Sequence, residues 1–197
     1  MNNLITLHKG AAAVALSDPW ELVDSLEGDA AASGSGRDSA YRILPLSDWR
    51  QLSEVATELT EVTAKGSEAA EPLGVLLHPD DDPAELAPWI DRIALIALEF
   101  PSFRDGRAYT QAFVLRSRLG FSGELRAIGD VLRDQLVAMR HCGFSSFAVR
   151  EDRSAEDALK ALAGFDLIYA RSVACPEPLF RRRLGAEAPG ASGPERA

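Results

Sequence analysis

Acids and bases collect in this chain where apolar runs give way to polar ones. His78 and Asp80 follow LGVLL. Glu99, Arg104, Asp105 and Arg107 end or follow IALIALEF. Asp130, Arg133 and Asp134 follow GELRAIG, and Arg150 closes FSSFAVR. Guanidinium forks suit carboxylates, phosphates and other oxyanions. A carboxyl that ends an apolar run is partly desolvated, which suits general-base work. Glu99 is the candidate for that role, and Asp130 is a second acid/base group. Asp105 and Asp130 also stand where helices are expected to start, and unpaired N–H groups there would add positive potential. With Arg104, Arg107 and Arg133, these helix starts would make a small-anion pocket. The competing reading makes Asp105 and Asp130 plain helix caps, with the arginines paired to Glu99 and Asp134 in a solvated rim. In that reading Glu99 is Arg104's partner.

Other reactive side chains have blander expectations. His78 precedes Pro79 and can cap a turn. His141 falls near an expected helix C-terminus, where its cation would suit the dipole. The same helix end opposes a thiolate at Cys142, and Cys175 has no activating partner in the sequence. Tyr109 faces either a pocket or a packed helix surface.

Strands and helices must bring these groups together. Residues 4–7 and 11–16 predict a short hairpin around residues 8–10. Residues 28–39 (GDAAASGSGRDS) predict a flexible loop. Its SGSG lacks the GxxxxGK[ST] pattern and the strand–turn–helix setting of a phosphate loop. YRILPL (41–46) is an ordered return, and a helix starts at Ser47 or Asp48 and runs to about Leu59. Residues 65–71 read as a linker. LGVLL (73–77) is apolar throughout, as a strand buried on both faces must be, residues 93–100 are the next buried strand, and GELRAIG (123–129) and FSSFAVR (144–150) read as two further strands. Between them lie a helix with Pro83 in its first turn and Pro88 inside, a helix over 106–119 capped by Asp105, and a helix over 131–142 capped by Asp130. Gly120 and Gly143 end the last two. Ser154 caps a further helix over 155–163, DLIYA (166–170) is another short strand, and 186–197 is a tail by composition.

Alternating strands and helices predict an α/β fold of repeated βα units, with a mainly parallel sheet joined by right-handed crossovers. An open sheet and a half-barrel fit equally well. Residues 1–40 would hold the N-terminal hairpin and loop, 41–180 a single α/β domain, and 181–197 a disordered tail. Ligands of parallel sheets bind at the turns after the strand C-termini, where the polar residues here gather.

Composition narrows the function. The chain has 197 residues and a formal net charge of −9, which argues against nucleic-acid or membrane-surface binding. The charge is uneven: residues 1–98 carry 6 Lys+Arg against 17 Asp+Glu, a net −11, and residues 99–197 carry 15 against 13, a net +2. Fourteen of those 15 bases are arginine. Two cysteines cannot supply a four-thiolate cluster, and the three histidines have no metal-ligand spacing. No signal peptide or membrane span is expected, so the predicted location is the cytoplasm. There is no GxGxxG, GxSxG or HExxH, so no cofactor is assigned.

DGRAYTQA, LRSRLG, GELRAIGDVLRDQ, the following CGF, and ILPLSDW at 43–49 carry a resemblance. Over most of residues 40–165 the chain resembles a bacterial family of unknown function, domain-of-unknown-function family 934. That family is often described as probable oxidoreductases of sulfite reduction. The resemblance implies a role beside assimilatory sulfite reductase, making sulfide for cysteine. The matching positions are Arg104, Asp105, Gly106, Arg107, Gln111, Arg116, Arg126, Gly129, Asp130, Arg133, Asp134 and Gln135. Of these, Gln111, Arg126, Gly129 and Asp134 join Arg104, Asp105, Arg107 and Arg133 as candidate anion-binding residues. Three functions are compatible: an accessory protein that binds a small oxyanion or the reductase, an enzyme on a βα scaffold, and a docking module using Phe103, Tyr109 and Phe121.

Overall fold

The computed structural model describes residues 3–8, 11–23, 41–51, 74–163 and 169–186. The expected loop at 28–39, the linker at 65–71, the helix beyond residue 51, most of the strand at 166–170 and the tail past residue 186 lie outside the described residues.

One sheet of eight strands runs through the molecule. In chain order these are β1 (Leu4–His8), β2 (Ala11–Val14), β3 (Trp20–Leu22), β4 (Tyr41–Pro45), β5 (Gly74–Leu77), β6 (Leu95–Phe100), β7 (Glu124–Gly129) and β8 (Ser146–Ala148). The spatial order is β2-β1-β8-β7-β6-β5-β4-β3. Strands β3 to β8 are parallel and sit in the order in which the chain makes them. The expected hairpin forms from β1 and β2 and adds antiparallel to β8. The sheet is open and curled, so of the two expected forms the half-barrel is the one observed.

Every helix core residue belongs to a single apolar cluster on one face of the sheet. Ala108, Ala112 and Leu115 come from α1 (Arg107–Ser117), and Leu136 and Met139 from α2 (Leu136–Cys142). Ala155, Ala158 and Leu162 come from α3 (Ala155–Leu162). Alternate strand residues point at them: Val75 and Leu77, Ile96, Leu98 and Phe100, Leu125 and Ala127, and Phe147. The intervening residues face the other way. Trp20, Ile43, Leu76, Leu95, Ala97 and Ile128 form a second cluster on the inner face of the curl, with no helix residue in it among the described residues. Because side chains alternate along a strand, Leu22, His78, Glu99, Glu124, Arg126 and Ala148 share that inner side.

The regular βα pattern holds for only part of the chain. Helix α1 joins β6 to β7 and α2 joins β7 to β8, but β5 and β6 are joined by a 3-10 helix, Pro83–Trp89. Pro83 opens that helix, Asp82 caps it by accepting from Ala84 N at 2.9 Å, and Pro88 inside it bars a regular α-helix. Residues 46–51 are helical, starting at Leu46, and Trp49 packs edge-on against Trp89 with ring centroids 5.2 Å apart.

Two predicted caps are replaced by other roles. Asp105 accepts from Arg107 N at 3.1 Å just outside α1, whose N-cap is Gly106. Asp130 caps no helix: the chain bends there, is extended at Leu132, makes a 3-10 turn at Arg133–Gln135, and only then enters α2. The delay lets Val131 bury completely and accept from Arg150 N at 3.1 Å, which ties the ends of β7 and β8 together. Ser154 caps α3 as expected, accepting from Asp157 N at 3.2 Å. Gly120 and Gly143 end α1 and α2 with φ of 71° and 105°.

Arg126 stands in the middle of β7 rather than at the rim and is 1% exposed. Its fork meets the Asp18 carboxylate at 2.8 and 3.1 Å, and it also reaches Glu124 Oε1, which accepts from Ser146 Oγ at 2.6 Å. Asp18 is equally buried, so the pair pins the turn before β3 across the inner face. Deleting one partner strands a charge out of water. Arg126→Met should lower unfolding free energy by about 3–5 kcal/mol in urea titration, and adding Asp18→Leu should restore part of the loss.

Candidate functional site

The strand C-termini form a rim in the expected place, but its charges sort into separate pairs. The register sets Leu77 opposite Leu98, so the next residues, His78 and Glu99, also face each other on the inner side. His78 Nδ1 lies 2.5 Å from Glu99 Oε2. Glu99 therefore pairs with His78 and not with Arg104. The turn carrying His78 is held from both sides. His78 N donates to Asp81 at 2.8 Å, and Gln111 Nε2 donates to the carbonyls of His78 and Asp81 at 2.8 and 2.9 Å. Gln111 is 5% exposed, so the structure sets it as a tie beneath the turn.

At the next step along the rim, Asp130 accepts from Phe103 N at 2.8 Å and from Arg150 Nη1 at 2.7 Å. The other edge of the Arg150 fork holds Asp152, at 2.6 and 3.0 Å. The Arg150 guanidinium holds the Asp152 carboxyl below the usual carboxylate range, and Asp152 in turn raises Arg150. Gly129 must be glycine here. Its φ is +93°, and a Cβ would lie 2.4 Å from the Phe100 carbonyl oxygen, so only glycine lets the end of β7 fold against β6.

Arg107 pairs with Asp105 at 2.6 Å and with Asp80, at the start of α1. The hydrogen bond from Arg107 lowers the Asp105 carboxyl. Arg133 pairs with Asp157 of α3 at 2.9 Å. Arg104 and Asp134 are exposed, and the Arg104 side chain meets no acid among the described residues. Arg104, Arg107 and Arg133 thus do not converge on one pocket.

What does converge is a groove of about 590 Å³ on the inner side of the rim, lined by Leu22, Glu99, Ile128, Gly129, Ala148, Val149, Arg150, Glu151 and Asp152. Of the sequence candidates it contains Glu99, Gly129 and Arg150. Arg150 stood in the rim inventory without an assigned role. Leu22 was missed because nothing local shows that β3 becomes a neighbour of β4 at the far end of the sheet. Strand parity could have found Ile128 and Ala148.

The remaining candidates have structural duties. Arg116 donates to the carbonyls of Gly143, Phe121 and Gly123 at 2.6–2.9 Å and lies 5.2 Å over the Phe121 ring. Phe121 is buried, Tyr109 packs edge-on against Phe100 at 5.2 Å, and of the three proposed docking aromatics only Phe103 is exposed. Burial raises the Cys142 thiol, which makes a thiolate there unfavourable. Cys175 does have a partner: Arg182 of α4 (Leu179–Ala186) lies against its sulfur. Among the described residues no group of three or more His, Cys, Asp or Glu is placed to hold a metal ion, and no helix is long and apolar enough to cross a membrane.

The fold and groove define an α/β protein with an open, curled, mostly parallel sheet and a mixed acid–guanidinium strand-end site. The chain belongs to the DUF934 family, described as bacterial proteins of unknown function, whose model matches residues 74–180. This is the family that DGRAYTQA and GELRAIGDVLRDQ resemble, and the matched span holds every groove residue except Leu22. No curated protein matches the chain.

His141 corrects the expectation of a cation at the end of α2. Its Nδ1 lies 3.2 Å from Ser172 Oγ, and burial, followed by the charge of Arg140, pushes its pKa down. The unfolded chain therefore takes up this proton first, so the His141 contribution to stability is present above the unfolded pKa and is lost as pH falls. Thermal melts taken from about pH 7.5 to about pH 5.5 should show a falling midpoint, and His141→Gln should flatten the fall on the acid side of ~6.5.

Proposed function

We propose that this protein is an accessory protein of assimilatory sulfite reduction, acting in the cytoplasm and holding a small oxyanion in the strand-end groove beside the reductase. Two lines support this reading. The family is associated with sulfite reduction through the resemblance above. The groove holds a guanidinium whose partner can leave: Asp152 fills one edge of the Arg150 fork while 57% exposed, and it keeps a second base, Arg153, at 3.6 Å. An incoming oxyanion replaces the Asp152 carboxylate at a fork already shaped for such a partner. Asp130 stays in place, because Phe103 N also holds it. The Arg150 fork, filled on one edge by a largely exposed Asp152, is the observation that carries the reading.

A second reading, an oxidoreductase or other small-molecule enzyme with Glu99 as acid/base, is favoured by the His78–Glu99 contact of 2.5 Å at the groove's edge. A carboxylate that orients an imidazole is a common arrangement for moving protons. With two cysteines, the chain is not the catalytic sulfite reductase subunit.

Calorimetric titration with sulfite and sulfate separates these outcomes. Arg150→Ala should weaken binding about tenfold, since the charge-assisted hydrogen bonds of the fork are lost. Asp152→Asn should tighten it, because the internal competitor is gone. Cells carrying only Arg150→Ala should grow poorly on sulfate as sole sulfur source. Normal growth of a deletion strain there, or an Asp152→Asn protein with weaker binding, would overturn the proposal.

A further inference from the structure

The groove is larger and less polar than a bare oxyanion needs. A sulfite ion fills the room of a few waters, each about 30 Å³. The groove's 590 Å³ falls within the roughly 300–1,000 Å³ of pockets that enclose whole organic molecules. Its floor is aliphatic: Leu22, Ile128 and Ala148 from β3, β7 and β8 line it. The polar groups stand at its ends. Arg150 follows β8 and Glu99 ends β6, with β7 between them, so two strand spacings of ~4.8 Å across the sheet and an offset of two residues along it separate their backbones. Glu99 gives one oxygen to His78, and its Oε1 meets no donor among the described residues.

Charge selects among organic ligands. The lining carries Glu99, Glu151 and Asp152 against Arg150, so a purely anionic molecule gains one fork and faces three carboxylates. A molecule with an anionic end and a cationic end meets a partner at each end and adds no net charge. We propose that the groove binds a short aliphatic zwitterion, with a sulfonate or carboxylate on Arg150, an ammonium on Glu99, and its methylenes over Ile128 and Ala148. This rests on the reading of Arg150 as an oxyanion fork and names the ligand class that fork serves.

Calorimetry and amide NMR on the full chain test it with sulfite, simple alkanesulfonates, and ω-aminoalkanesulfonates of increasing length. At one length the aminoalkanesulfonate should bind about tenfold tighter than the matched alkanesulfonate and than sulfite, the equivalent of ~1.4 kcal/mol. Glu99→Gln should remove that advantage, and Arg150→Ala should weaken binding of all three. Sulfite binding through Arg150 as tightly as any aminoalkanesulfonate would overturn the zwitterion and leave the oxyanion reading standing. If no anion binds through Arg150, both fall. An ammonium advantage that survives Glu99→Gln overturns the role given to Glu99. The amide spectra report whether each variant is folded.

Discussion

Six parallel strands lie side by side in the order in which the chain makes them, and that order constrains everything else. A sheet that never reverses has no switch point between its strands, where an open doubly wound sheet would place its crevice. Crossovers of one hand then stay on one side, and the helix core residues do fall in one cluster on one face. No helix among the described residues covers the opposite face, which curls on itself. Trp20 and Tyr41, on neighbouring strands, meet there with centroids 5.2 Å apart. A site must then form where the inner face reaches the strand ends. Strand parity decides which rim residues enter it: Glu99 turns inward, two residues after Ala97, whereas Phe100 beside it goes to the helix core.

Much of this was legible because it is local. Short, mainly apolar runs located β5, β6, β7 and β8, and glycines located the helix ends. The misses come from contacts far apart in sequence. Asp130 stands before a helical pattern just as a cap would, yet its partners are Phe103 N and Arg150, 27 and 20 residues away. Arg126 could be placed in mid-strand by counting, but its partner Asp18 is 108 residues away. The His78–Glu99 pair needed the register of β5 against β6, which hydrophobic patterning does not specify when both strands carry apolar residues on both faces.

The charge count is also reinterpreted by geometry. An arginine-rich half of an acidic chain suggested a positive pocket. Folded, the guanidiniums are spent in different ways: Arg116 on three carbonyls, Arg126 inside the sheet, Arg107 and Arg133 on surface acids. Exposed pairs of the last kind contribute little to stability. They do neutralise the helix side of the rim. What remains at the groove is a mosaic, with the Arg150 fork set among Glu99, Glu151 and Asp152.

Gln111 shows what the fold gives up to keep that spacing. Its Nε2 bonds two carbonyls of the turn after β5, while its Oε1 is buried without a partner among the described residues. Turning the amide over would set an oxygen against both carbonyls, so the observed orientation is the better of the two. An unsatisfied buried acceptor still costs about 1–3 kcal/mol. A methionine there would avoid that cost but leave both turn carbonyls unpaired. The amide is therefore the lesser loss, and what it secures is the backbone of His78, and through it the carboxylate at the groove's edge.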